Sequence, residues 1–456
     1  MAITIQQQPT TPNMSNNDLL FVLTSDKTTE AQYQYVADLY ISGSATKFQR
    51  IKQQPNPSNK GVFNVGQIIT TQLESDNVWK TAGFATSSEC NKQFTIKFGE
   101  SFASSSYATP QLYNGITTAT TGSPATTGSE WYVITDGLVD YPSAVNFNFA
   151  SASYYALEPA SDYTTFSYQH NLSNAPLTQS IQEGEYLTIA LYNGDMSYPD
   201  SDSVAQDIFY VQIQWYNSAG TNIQNDDFYN ILANGGAPRT NTTDLWSDAG
   251  VYDAQTNSSR LIHIGVGVQN LTDFGITPPA TWAYYTATLT GQGDDGLENN
   301  DGVWASLKFV KDTAFCGYDG VRFAWKNEFG VWDYYNFKLQ SDATDAIERV
   351  SYEHTFVPYN TATNSATYNT SRRGATQVTN KVNRVQTANS DWLTQTQADW
   401  LRELFFSTNV YIQNGSDFEP VVIQDSAVVE KTNPRSQKNF QYTITFAQAN
   451  NLRNRL

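Results

Sequence analysis

Apolar and polar residues alternate in short runs along most of this chain. In YQYVADLYIS (33–42), Tyr33, Tyr35, Ala37, Leu39 and Ile41 fall on one face of an extended segment. KQFTIKFGE (92–100) alternates in the same way, and DLLFVLTS (18–25), KFQRIK (47–52) and VFNVGQII lie between them. Turn-rich text such as QPNPSNKG separates these runs. Short strands with turn signals between them predict a small β-sandwich over residues 1–100, led by a polar arm. Residues 101–130, SFASSSYATPQLYNGITTATTGSPATTGSE, are low in complexity and predict a linker or long loop. EWYVITDG, AVNFNF, EYLTIALYNG, DIFYVQIQWYNSAG, SRLIHIGVGVQNL and WAYYTATLTG then predict a second sandwich over 131–304.

The last segment, 305–456, changes character. In GYDGVRFAWKNEFGVWDYYNFKLQ (317–340), Val321, Phe323 and Trp325 share one strand face. Tyr335, Phe337 and Leu339 share the next. Lys326 to Gly330 form the loop between, with glycine where a positive φ is cheap. This predicts a hairpin with an aromatic inner face, leaving Trp332 and Tyr334 on the opposite face as interface candidates. Farther on, Ala398, Leu401, Leu404 and Phe405 fall on one side of a helix. Thr394 and Gln397 are placed for a capping box, and Leu393 and Ala398 for a hydrophobic staple. FEPVVIQDSAVVEK and NFQYTITFAQAN predict two final strands, so this domain reads as α+β with one clear helix. The whole chain is expected to be mainly β: two β-sandwich-like domains followed by a C-terminal α+β domain.

Composition agrees with that pattern. Tyr (28) and Phe (24) are abundant and only 15% of the residues are charged, which suits pleated sheets. The net charge of -18 is unevenly placed. Residues 1–100 are neutral, with eight basic and eight acidic side chains. Residues 101–304 hold two basic residues, Arg239 and Arg260, against 21 acidic ones. Residues 305–456 hold 16 basic against 15 acidic. So acidic a middle segment repels nucleic acid and anionic membranes. Cys90 and Cys316 are far apart and form neither a disulfide framework nor a zinc spacing, as expected for assembly in a reducing cytoplasm. MAITIQQQPTTPNMSNND has no basic and apolar leader regions, and no apolar run is long enough for a membrane span.

Chemistry-bearing motifs are lacking. The sequence contains no phosphate loop, GxSxG elbow, HExxH or dinucleotide fingerprint, and no catalytic residue or cofactor is assigned. His263, inside LIHIGVGV, reads as a structural histidine on a strand. Two oxygen-rich loops are calcium candidates, without EF-hand spacing. One holds Asp195, Asp200, Asp202 and Asp207; the other holds Asp294, Asp295, Glu298 and Asp301. A plain solvated loop is the preferred reading of each. Arg372 and Arg373, with Lys381 and Arg384, form a basic cluster suited to an acidic neighbour such as the middle segment of another copy.

Three stretches carry a resemblance. They are YQYVADLYISG…FQRIKQQPNPSNKGVFNVGQII, ECNKQFTIKFGES, and FCGYDGVRFAWKNEFGVWDYYNFKLQ with the later DWLTQTQADWLRELFFSTNVYI. Together they resemble virion structural proteins of tailed bacteriophages, especially those of marine and Bacteroidetes-type hosts. The resemblance covers the first hundred and the last hundred and fifty residues and is weaker over 101–304. It implies a non-enzymatic part of a tail, neck or baseplate. Such a part is made in the host cytoplasm and docks onto copies of itself and onto other virion proteins. The alternative expectation is a receptor- or carbohydrate-binding module on the particle, its aromatic, amide and carboxylate side chains recognising a cell-surface glycan.

Overall fold

In this computed structural model the described residues are 3–9, 13–42, 44–74, 77–87, 89–104, 107–118, 131–138, 172–192, 208–229, 261–291, 303–313, 320–353, 359–366, 371, 374–425, 427–428, 441–450 and 453–455. The protein is mainly β, with several separate sheets. The chain divides into two compact units. The first comprises Met1–Asp312 and Lys326–Asp333; the second comprises Thr313–Trp325 and Tyr334–Leu456.

In the first unit, one three-stranded sheet has the order Thr4–Gln7, Leu20–Thr24, Gly61–Asn64. Beside it lies a sheet containing Asn13–Met14, Trp131–Thr135, Lys92–Ser104, Ala31–Ile41 and Gln49–Gln53 in that order. Their core is the one the alternation predicts: Tyr33, Tyr35, Ala37 and Leu39 are buried with Phe21, Phe63, Phe94 and Phe98. Each of the larger apolar side chains here contributes about 1.5–3 kcal/mol by leaving water. Ala31–Ile41 is buried on its other face too, where Asp38 is only 2% exposed. Arg50, on the adjacent strand and directly opposite Asp38, donates two 2.5 Å hydrogen bonds to its carboxylate. Burial pushes the Asp38 carboxyl up, but the hydrogen bonds and charge of Arg50 outweigh it and hold the group below the usual carboxylate range.

The same unit holds a five-stranded sheet in the order Thr178–Ile181, Val303–Lys311, Tyr284–Gly291, Ile208–Tyr216, Asn222–Tyr229. Trp215, Tyr285 and Phe309 are fully buried in its core, with ring centroids 4.7 and 5.0 Å apart along the series. A further sheet joins Thr188–Tyr192, Leu261–Gly265 and Phe84–Thr86.

These pairings depart from the expected organisation. The stretch 101–130 carries a strand, Tyr107–Thr118, paired antiparallel with Lys92–Ser104, where a linker was expected. Its Tyr, Leu and Ile residues sustain enough β-propensity to extend the sheet. Phe84–Thr86, from the first hundred residues, pairs with Leu261–Gly265, so the segments expected as two sandwiches share a sheet. VGVQNL, expected to continue a strand, turns into the helix Val268–Phe274. It starts after extended Gly267 and stops at Gly275, whose φ of 105° is left-handed.

The second unit is α+β. Its sheet has the order Trp332–Phe337, Val321–Lys326, Val410–Asn414, Asp417–Ile423, Thr443–Gln448, Ala375–Asn389, Asp342–Glu353. The helix Gln395–Phe406 packs on it with the predicted capping box. The Gln397 backbone N–H donates to Thr394 Oγ1 at 3.3 Å, and the Thr394 N–H donates to Gln397 Oε1 at 3.0 Å. Leu393, Ala398, Leu401 and Leu404 are buried. Trp400, one position off the predicted stripe, is buried as well and meets Trp325 at 5.3 Å and Tyr335 at 5.9 Å between ring centroids. Phe323 and Phe337 are fully buried and meet edge to face at 5.1 Å.

Candidate docking surface

The expected candidates fall into three groups. Asp195, Asp200, Asp202, Asp207, Asp294, Asp295, Glu298 and Asp301 lie outside the described residues. So do Arg372 and Arg373. Among the described residues, no cluster of His, Cys, Asp and Glu is arranged to hold a metal ion.

Trp332 and Tyr334 require a correction. Each is only 4% exposed, so the chain itself covers the face expected to meet a neighbour. Trp332 packs edge to face on Trp79 at 4.9 Å, and the Arg322 guanidinium lies over the Tyr334 ring at 5.4 Å. Alternation shows which side chains share a face, but not whether a second layer covers that face.

The hairpin tip, Lys326–Asp333, belongs to the first unit and is tied down by polar contacts there. Asn327 organises it. Its side-chain Nδ2 donates to the Leu172 carbonyl at 2.8 Å, and its Oδ1 accepts from the backbone N–H groups of Phe329 (3.0 Å) and Val331 (3.2 Å). Lys326 donates to both carboxylate oxygens of Asp136 at 2.8 Å. Ser173 donates to Asp333 at 2.6 Å, and Asn174 to Glu328 at 2.6 Å. Gly330 has φ 75°, and a Cβ there would stand 2.7 Å from both Asp136 Oδ1 and the Gly137 nitrogen. Glycine is therefore required twice over, by backbone conformation and by space. Phe329 and Val331 complete a core with Met14, Cys90, Leu172, Ala190 and Leu261.

His263 sits on the strand Leu261–Gly265, as its sequence context indicated. It is 2% exposed, and neither ring nitrogen has a hydrogen-bond partner among the described residues. Burial pushes its pKa down to about 4, and the charge of Lys326 adds to the effect.

The exposed surface lies elsewhere, on a feature the alternation did not single out. All twelve residues of Asp342–Glu353 are exposed. This strand pairs antiparallel with Ala375–Asn389 from Asp342↔Thr387 to Glu353↔Ala375, with a register shift after Val350 that leaves Val378 as an extra residue. On its far side the inner strand is backed by Thr443–Gln448 at Val385–Asn389 and by Arg453–Arg455 at Asn380–Val382. Among the described strands, Asp342–Glu353 pairs with nothing but its inner neighbour. The product is a ribbon ending a seven-strand path, with Ile347 (45%), Val350 (53%), Tyr352 (52%) and Val378 (49%) open to water. Its cross-strand charges are weakly coupled: Arg384 and Asp345 stand 3.9 Å apart, both well exposed. A long, straight, uncharged edge would template pairing with other chains. This one is interrupted by Asp342, Asp345, Glu348, Arg349 and Glu353, which restricts what can pair with it.

No protein family and no curated protein matches the chain in sequence. Among solved structures, it is similar to the native conformation of E. coli alpha-2-macroglobulin at 9% identity and a TM-score of 0.18, over 91% of this chain and 23% of that one. Trypsin-activated alpha-2-macroglobulin from Escherichia coli is similar at 9% identity and a TM-score of 0.17, over 85% and 22%. The chain thus spans less than a quarter of the length of these neighbours. Likeness at this level carries no argument about function.

Proposed function

We propose that this chain is a non-enzymatic structural component of a tailed-phage particle, in the tail, neck or baseplate, acting by docking onto copies of itself and onto other virion proteins. The observation that carries this reading is the ribbon. Twelve consecutive exposed residues on a terminal strand, several of them large and apolar, make a surface suited to protein contact rather than chemistry. The resemblance of both ends of the sequence to virion structural proteins supports the same reading, as does a build of several well-packed sheets. The acidic segment 101–304 would keep assembled particles from adhering to one another and to nucleic acid.

The carbohydrate-binding alternative draws less support. The described aromatics Trp215, Trp282 and Tyr285 are buried against one another instead of forming an open stacking platform. Gold labelling of purified particles with an antibody to this chain tests the proposal. Label confined to tail, neck or baseplate is the expected result. Unlabelled particles, with the protein free in the lysate, would overturn it.

A further inference from the structure

The edge strand Asp342–Glu353 carries charges that distinguish the registers in which a second copy could pair with it. Two copies of the same edge can join into a continuous sheet about a two-fold axis perpendicular to that sheet. The axis relates antiparallel strands, and directly opposite side chains must point to the same face. Residues of even number therefore meet even, and odd meet odd, so the axis passes through a residue. Few centres give substantial overlap, and charge separates them. A centre at Asp345 sets Asp345 against its own symmetry copy. A centre at Glu348 does the same for Glu348. A centre at Arg349 opposes Arg349 to itself and Asp345 to Glu353. A centre at Ala346 creates no charge pair.

A centre at Ile347 differs from all of these. It places Asp345 opposite Arg349 of the second copy, and Arg349 opposite that copy's Asp345. Ile347 meets Ile347 on the axis, and no like charges stand directly opposite. Opposite-charge and apolar cross-strand pairs each stabilise a sheet, and like-charge pairs oppose it. Within its own ribbon Arg349 faces the neutral Asn380, so its charge has no carboxylate directly across from it there.

We infer that two copies of this chain associate isologously through Asp342–Glu353, in the register centred on Ile347. The contact would cover the exposed edge and pair Ile347, Asp345 and Arg349 across the axis. This rests on the docking reading above and supplies the surface for self-association.

Sedimentation velocity of the full chain and of Arg349→Asp tests the inference, with near-ultraviolet circular dichroism to check the fold. The expected result is a wild-type dimer that Arg349→Asp weakens by about tenfold, because two attractive pairs become repulsive. Cysteine replacement then tests the register, in a Cys316→Ser background, since Cys90 is buried. Opposed Cα atoms about 4.5–5.5 Å apart lie within disulfide reach, so Ile347→Cys should cross-link two copies on oxidation. Val350→Cys, which would face Thr344 of the second copy, should not. A chain that stays monomeric throughout the measurable range overturns the inference and leaves the edge to a strand of a different protein. So does a dimer insensitive to Arg349→Asp, or one that cross-links equally through both cysteines. These failures are separable from failure of the virion reading. Labelled particles with a monomeric chain discard the surface alone, and unlabelled particles with a charge-sensitive dimer discard the virion role alone.

Discussion

The hairpin tip and the ribbon are both short pieces of antiparallel sheet, and they solve opposite problems. The tip residues Lys326–Asp333 are nearly all buried, and groups from elsewhere in the same unit meet their polar atoms: the backbone carbonyl of Leu172 and the side chains of Asp136, Ser173 and Asn174. The ribbon strand Asp342–Glu353 is exposed throughout and relies on backbone pairing. A two-stranded element without a covered face is marginal by itself in water. The tip is therefore locked within the folded chain, whereas the ribbon has no such cover among the described residues. Both carry large apolar side chains: Phe329, Val331 and Trp332 in the tip, Ile347, Val350 and Tyr352 in the ribbon. The distinction lies in whether each apolar side chain has a second layer to pack against.

That contrast can be broken at its strongest point first. Phe323→Ala and Phe337→Ala should each destabilise the second unit by about 3–5 kcal/mol, as for other fully buried aromatics. Denaturant titration measures this, and a loss below about 1 kcal/mol would mean that the inner face of the hairpin is not a core.

A smaller effect is expected from acid, through His263. Its folded pKa of about 4 lies below the ordinary value near 6.5. Between these values the unfolded chain binds a proton that the folded chain refuses. Stability from this group is thus fully present above about pH 6.5 and is lost as the pH falls through the window, by about 2 kcal/mol at pH 5. Unfolding midpoints between pH 7 and 5 should drop in the native chain and stay nearly level in His263→Leu. An equal drop in both would remove His263 as the cause.

The smallest effect belongs to the ribbon. In the isolated monomer, Val350→Thr should change stability by no more than about 0.5 kcal/mol, because the side chain already meets water. A loss above about 1 kcal/mol would show that the ribbon is packed, and would erase the contrast with the tip.

Local features were legible in the sequence, and layering was not. The capping box of Thr394 and Gln397, the buried face of Tyr33, Tyr35, Ala37 and Leu39, and the inward Phe323 and Phe337 all follow from spacing within a few residues. These depend on local geometry alone. Trp332 and Tyr334 depended on what lies over them, including Trp79, more than two hundred residues away in the chain. The pairing of Phe84–Thr86 with Leu261–Gly265 is equally remote. The exposed ribbon was missed for the converse reason. Ile347, Val350 and Tyr352 have the residue types of a core strand, and nothing local indicates that they stand exposed.

The placement of residues 326–333 has a consequence for synthesis on the ribosome. The first unit includes residues that follow its main run by more than a dozen positions, among them the core residues Phe329 and Val331. A nascent chain that has emerged only as far as Asp312 lacks Asn327, Lys326 and the aromatic and aliphatic side chains that close that core. Completion of the first unit must wait until the tip has left the exit tunnel, by which time the second unit has begun to appear. A fragment cut at residue 304 or 312 should accordingly behave as an unfinished translation product, with Met14, Cys90, Leu172 and Leu261 exposed where the tip would seal them.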